Sequence, residues 1–265
     1  MRALPLAAVV VLVARIVQAG TISITLTVRP TLADGKLGVQ VKVANGGDEA
    51  AQSVAAVLGF RGQTVRGTLH QSLEPKQSFD ETLTLPAEGL ADGRWPFRLA
   101  VDYTDANQYP FQALQVQLVT AGSPPPAKVG VVGVKASGGI AGSGDLDVSL
   151  KNLGPDPRTV VVGAMVPDGL EATQPGAPVT LAGWAQQDLA IPVTNRTALP
   201  GSRYPVFVVV EYDDGPVHQA AFGQGVVDVV GEDSFLDRNR RWLVGGAIAL
   251  VVLWIAVVVV AKLRA

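Results

Sequence analysis

Two histidines, His70 and His218, are the only side chains here that act as bases near neutral pH, one in each half of the chain. Neither has a His, Asp or Glu partner at the spacing of a metal-binding helix, and no Gly-x-Ser-x-Gly elbow presents a nucleophile. Cysteine is absent, which removes thiol catalysis, zinc–thiolate sites and lipid attachment through a cysteine. The run Gly138-Gly139-Ile140-Ala141-Gly142-Ser143-Gly144 lacks the lysine of a phosphate-cradling loop and precedes a strand, so a flexible hairpin is expected there. Two oxygen-rich groups remain, Asp102/Asp105/Asn107 and Glu211/Asp213/Asp214. Both fall at strand ends, where loop oxygens could converge on calcium. That ion takes about 6–8 oxygens, and neither group carries an Asp-x-Asp-x-Asp-Gly loop. Solvated turns, where Asp and Asn are favoured, are the simpler reading. No catalytic set, metal site or cofactor is implied, and calcium at the acidic turns stays open.

Binding chemistry offers more. Trp95, Trp184, Tyr204 and Tyr109 could form an aromatic face for a carbohydrate. Trp95 and Tyr204 occupy matching positions of an internal repeat, which points to packing inside each half. Trp184 lies in Leu181-Ala182-Gly183-Trp184-Ala185-Gln186, has no counterpart in the first half, and is the candidate interface contact. Near the C-terminus Gly245, Ala249 and Ala256 share one helical face, where small residues let a second helix approach; lipid-facing packing is the alternative. Asn195-Arg196-Thr197 matches a glycosylation acceptor.

The elements that position these residues begin with the two ends. Residues 1–19 read as a signal peptide: Arg2, an apolar run over 3–14, and Val17-Gln18-Ala19 before a cut at Gly20. Residues 242–261 hold no charge, and 20 residues at about 1.5 Å each match a hydrocarbon core of roughly 30 Å. Arg240 and Arg241 stand on one side, Lys262 and Arg264 on the other, with Trp242 as an interfacial anchor. The signal peptide commits the chain to export, so this span is a stop-transfer helix that leaves 262–265 in the cytoplasm. Between the ends, 14 lysines and arginines stand against all 23 acidic residues, a net charge of −9. Such an acidic middle repels phosphate backbones and excludes nucleic acid as a partner.

The sequence Ala121-Gly-Ser-Pro-Pro-Pro-Ala-Lys128 divides the exported part. Consecutive prolines favour a stiff, exposed spacer, so residues 122–128 are expected to link two independent halves, 20–121 and 129–231. Both halves alternate apolar and polar residues with period two, as in Ile22, Ile24, Leu26, Val28 and in Leu37, Val39, Val41, Val43. Thirteen such segments with turn signals between them predict β-sandwiches. The halves also repeat: Arg94-Trp-Pro-Phe-Arg-Leu-Ala-Val-Asp-Tyr-Thr-Asp105 aligns without gaps to Arg203-Tyr-Pro-Val-Phe-Val-Val-Val-Glu-Tyr-Asp-Asp214. The same offset of 109 places Leu37, Val39 and Val41 on Leu146, Val148 and Leu150, as a duplication would.

With Val41-Lys-Val-Ala-Asn45-Gly46, Leu73-Glu-Pro-Lys-Gln-Ser78 and Gly93-Arg-Trp95 leading to Val101-Asp102-Tyr103, the chain resembles the bacterial CARDB-type Ig-like sandwich. Leu150-Lys-Asn152-Leu-Gly154 and Arg203-Tyr204 to Glu211-Tyr212 carry the resemblance into the second half. It implies extracytoplasmic spacing, adhesion or assembly, and brings no catalytic set. The expected architecture is all-β: two tandem Ig-like β-sandwich domains followed by a single transmembrane α-helix, with 232–241 as the juxtamembrane segment. The expected role is a non-enzymatic binding or assembly module at the cell membrane, its N-terminal part in the periplasm or on the cell surface. An accessory single-pass subunit of a larger membrane complex is the alternative. The partners are the bilayer and a protein.

Overall fold

The computed structural model describes residues 20–231, 239, 241–245 and 248. The proposed leader 1–19 lies outside the described residues, as does most of the proposed span, including Ala249 and Ala256. Residues 241–245 are helical, and among the described residues no helix is long and apolar enough to cross a membrane.

The protein is all-β. The first half contains β1 (Ile24–Ala33), β2 (Lys36–Asn45), β3 (Ala51–Phe60), β4 (Gln63–Arg66), β5 (His70–Leu73), β6 (Ser78–Pro86), β7 (Gly93–Thr104) and β8 (Pro110–Ala121). The second contains β9 (Val129–Ala136), β10 (Ser143–Asn152), β11 (Arg158–Met165), β12 (Leu170–Ala172), β13 (Val179–Leu181), β14 (Gln186–Asn195), β15 (Arg203–Asp214) and β16 (Val217–Asp228). In each half one sheet faces another over an apolar core. Sheet β1-β2-β6 covers the sheet built on β3, β7 and β8, and sheet β12-β14-β10-β9 covers β13-β11-β15-β16. The inward members of the alternation are the ones buried: Leu37, Val39, Val41 and Val43 in β2, Leu146, Val148 and Leu150 in β10. The period-two reading of these strands holds. The short strands β5, β12 and β13 were not legible, because three or four residues carry too little alternation to stand out from turns.

The duplication is visible in the hydrogen bonds as well. Asn45 and Asn152 close β2 and β10, both buried, and each side-chain oxygen accepts the backbone N–H two residues on, from Gly47 and Gly154, at 3.0 Å. Their amide nitrogens donate to carbonyls of the facing loops: Glu49 and Leu73 in the first half, Asp156, Leu181 and Ala182 in the second. These anchors stand 107 positions apart, whereas β7 and β15 match at 109. The sequence alignment of β2 with β10 was therefore displaced by two residues. An even displacement keeps every side chain on its own face, which is why the core assignment survived it.

The halves lie side by side. Ala100, Leu114 and Val116 of β7 and β8 form a shared core with Phe207 and Val209 of β15, flanked by Val57 and Met165. At one end of this seam Gly93 pairs with His218 in a parallel bridge. A Cβ at Gly93 would stand 2.0 Å from the His218 carbonyl oxygen, so only glycine permits the approach. Trp95 stacks on the His218 ring at 3.8 Å, and Arg94 donates to the Gln219 side chain at 2.7 Å and to the Pro125 carbonyl at 2.6 Å. The proline segment is exposed at Pro125 and Pro126, as its composition suggests, and is tied at the seam by Arg94 and Gln219. Its carbonyls have no strand partner, and that leaves them open to these side-chain donors. At the other end Arg98 reaches Asp168 at 3.6 Å across the seam.

Candidate functional site

Two of the open sheet edges, β1 and β8, border one groove. Among the described residues β1 pairs only with β2, and β8 only with β7. Ser23 and Thr21 accept at their carbonyls from Gly46 and Asp48, at 2.7 and 2.9 Å, so odd-numbered residues of this segment turn their backbone groups towards β2. Antiparallel alternation then turns the N–H and C=O of Ile22, Ile24, Leu26 and Val28 to the open side. Pro30, which has no N–H, falls in the same outward set. In β8 the bond from Asp105 N–H to the Tyr109 carbonyl fixes the same parity. Gln112, Leu114, Val116 and Leu118 therefore present their backbone outward, after Pro110 at the strand start.

A groove of about 840 Å³ runs between these edges. Residues 21–26 form one wall and 111–117 the other, and Tyr204, Phe207 and Phe222 contribute from the second half. Arg203 is its one charged lining residue, paired with Asp228 at 2.7 Å. A smaller cavity of about 310 Å³ adjoins it and shares Tyr103, Phe111 and Tyr204. Burial, and secondarily Tyr204, push the Tyr103 hydroxyl up to about 12, so it stays neutral at physiological pH.

The groove lies at the end where residues 20 and 231, the limits of the described β-sandwich body, emerge. Thr21, next to Gly20, lines it together with Ser202, and Ser202 accepts at its carbonyl from Val229 N–H at 2.9 Å. Trp184 occupies the opposite end. Its N–H bonds the Gly154 carbonyl, Leu153 N–H bonds Lys128, and Lys128 N–H bonds the Tyr212 hydroxyl near the end of β15. The length of β15, roughly 36 Å at ~3.3 Å per residue, separates the two ends. Trp184 is 60% exposed and sits at φ 60° in a turn beside exposed Leu153, so its expected exposure is observed. Gly245, the one member of the small-residue face among the described residues, is helical and exposed.

The acidic groups are engaged with other partners. Asp102 binds Arg66 at 2.7 Å and the Gln112 amide. Asp105 caps its own turn by accepting from the N–H groups of Asn107 and Tyr109, at 2.8 and 2.9 Å. Lys128, and after it Arg158, hold the Asp214 carboxyl below the usual carboxylate range. That contribution to stability is present at neutral pH and is lost only on acidification below about pH 4. Glu211 and Asp213 bracket His218, at 3.2 Å from Nε2 and 3.0 Å from Nδ1. Both ring nitrogens of His218 therefore have carboxylate partners under the Trp95 ring. His70 stacks on Phe79 at 3.8 Å. Among the described residues no three His, Asp or Glu gather as a metal cluster.

Three further sequence features resolve locally. Trp95 and Tyr204 do not meet in one aromatic face: Trp95 lies at the His218 end of the seam and Tyr204 at the groove end. The glycine-rich 138–144 run is clamped, because Ile140 is buried and its N–H and C=O pair with Asp228 and Val230. An apolar side chain within a glycine run supplied the anchor. The amide of Asn195 donates to the Ala141 and Ala198 carbonyls at 3.0 and 3.1 Å, so the glycosylation-type motif is engaged in closing a turn.

No family model matches the chain, and no curated protein does. Among solved structures it is similar to the E. coli chaperone DraB, with 15% identity and TM-score 0.28 over 78% of this chain and 98% of that one. It is similar to E. coli alpha-2-macroglobulin activated by porcine elastase, with 14% identity and TM-score 0.29 over 80% of this chain and 22% of that one. A third is red sea bream transglutaminase, with 14% identity and TM-score 0.28 over 79% of this chain and 32% of that one. The chain spans about a third or less of the length of the last two.

Proposed function

We propose that this chain is an exported, single-pass membrane protein whose two tandem Ig-like sandwiches, of CARDB type, serve as a binding or assembly module without catalytic activity. One observation carries the reading: the two repeats are locked into one body that leaves a groove edged by two unpaired strands. The polar side chains that could do chemistry are meanwhile engaged with one another. Both ring nitrogens of His218 face carboxylates, so neither is free to take a proton from a nucleophile. Export and anchoring rest on the apolar runs at 1–19 and 242–261.

The second reading, an accessory subunit of a larger membrane complex, gains from the position of the groove. Gly20 and Gly231 leave the ectodomain at the groove end, and only residues 232–241 separate Gly231 from the span. A partner in the groove would therefore stand close to the bilayer, beside the helical face of Gly245, Ala249 and Ala256.

Intact-mass measurement on the purified protein tests export. The mature N-terminus should lie at Gly20 or within a few residues of it. A protein that retains Met1 would carry two apolar membrane segments, and the exported single-pass topology would fail.

A further inference from the structure

We propose that the groove between β1 and β8 receives an extended, uncharged peptide segment of a partner protein, which pairs as a β-strand with the open edges. This deepens the reading of the chain as a binding module and rests on it.

The backbone makes the first part of the case. Ile22, Ile24, Leu26 and Val28 on one wall, and Gln112 to Leu118 in alternation on the other, direct N–H and C=O groups towards the gap. A row of unpaired backbone groups is a template for another strand, and proteins commonly guard such rows with charges, bulges or prolines. Here Pro30, with Arg29 beside it, and Pro110 mark one limit of each row, and residues 21–28 and 111–118 carry no charge. An extended chain is the ligand that satisfies such rows in register, through main-chain bonds.

The side chains narrow the occupant further. The ectodomain is acidic, yet the groove presents one charge, Arg203, already paired with Asp228. A charged segment would lose hydration there without gaining a partner, so the occupant is uncharged along its docked length. Leu114, Val116 and Phe207 line the groove and also form the shared core of the seam. The occupant's apolar side chains would thus extend an interface that the two halves already make. The six-residue wall of 21–26 spans roughly 17–20 Å, room for a strand of about six residues.

Amide hydrogen exchange on the full-length protein in detergent tests the proposal. The probe is a seven-residue peptide of alternating valine and threonine, and its control has two prolines at the centre. The valine–threonine peptide at millimolar concentration should slow exchange at the outward amides of Ile24, Leu26, Leu114 and Val116 by about fivefold or more, and the control should not. Ile22→Pro, which removes one outward N–H, should weaken the probe by roughly fivefold relative to Ile22→Ala, which removes only the side chain. The melting temperatures of the two variants establish that both are folded. Absence of slowing, or equal slowing by both peptides, would overturn the proposal. So would protection that rises with protein concentration alone, because the edges would then pair between copies of this chain. The readout is blind to membrane attachment, so its failure and a failure of anchoring are distinguishable.

Discussion

Replacing Asn152 by alanine is expected to lower stability by about 3–5 kcal/mol, a large part of the ~5–15 kcal/mol that holds a domain together. The residue is fully buried, and its amide donates to the carbonyls of Asp156, Leu181 and Ala182 while its oxygen accepts from Gly154. Alanine fills none of these roles, and each abandoned buried group loses its partner without regaining water. Asn45→Ala should behave alike in the first half, where the bonds run to Glu49, Leu73 and Gly47. Asn152→Asp keeps the acceptor but turns an oxygen towards three carbonyls, so it should not rescue. Urea unfolding of each variant gives the loss directly. A cost below about 1 kcal/mol for either alanine variant would mean that the loops fold without the asparagine bracket.

Val210→Asp is expected to be at least as severe. Val101 and Val210 have no exposed surface and occupy the same inward position of the duplicated strand. A carboxylate there is buried without a partner, which costs several kcal/mol even after relaxation. The neighbouring outward residues set the contrast. Asp102→Val removes an ion pair with Arg66, whose side chain is 54% exposed, and such pairs contribute about 0–1 kcal/mol. Glu211→Val removes one carboxylate from His218 and should be similarly mild. Thermal melts of Val101→Asp, Val210→Asp, Asp102→Val and Glu211→Val should therefore fall into two separated groups, the two valine replacements being the less stable. The opposite ranking would require every facing assignment in β7 and β15 to invert.

The sandwich strands were legible because each long strand has one buried and one solvated face, and that asymmetry writes itself into the sequence as alternation. The seam was not read, although it left a mark. Val206-Phe207-Val208-Val209-Val210 is apolar without a break, as expected of a strand buried on both faces. Val206, Val208 and Val210 enter the core of the second half, while Phe207 and Val209 enter the seam. Reading that run as simple alternation hid the second contact, and the three prolines reinforced the picture of separate halves. The groove was harder still to see. It depends on which strands lack a neighbour, a property of topology that no local pattern records. The exposure of Trp184 was legible because a tryptophan without a repeat counterpart stands out, whereas the partners of Asp102 and His218 lie on other strands, or at spacings that only the pairing register brings together.

Anchoring is the claim on which the role of the groove depends, and fractionation measures it most directly. Membranes from cells that express the full-length chain are washed with carbonate and then high salt, beside cells that express a chain ending at Gly231. The full-length protein should stay in the membrane pellet. The shortened protein should appear in the soluble fraction with a β-type circular dichroism spectrum and a cooperative melt. Full-length protein released into the wash would contradict the single-pass topology and the position of the groove beside the bilayer.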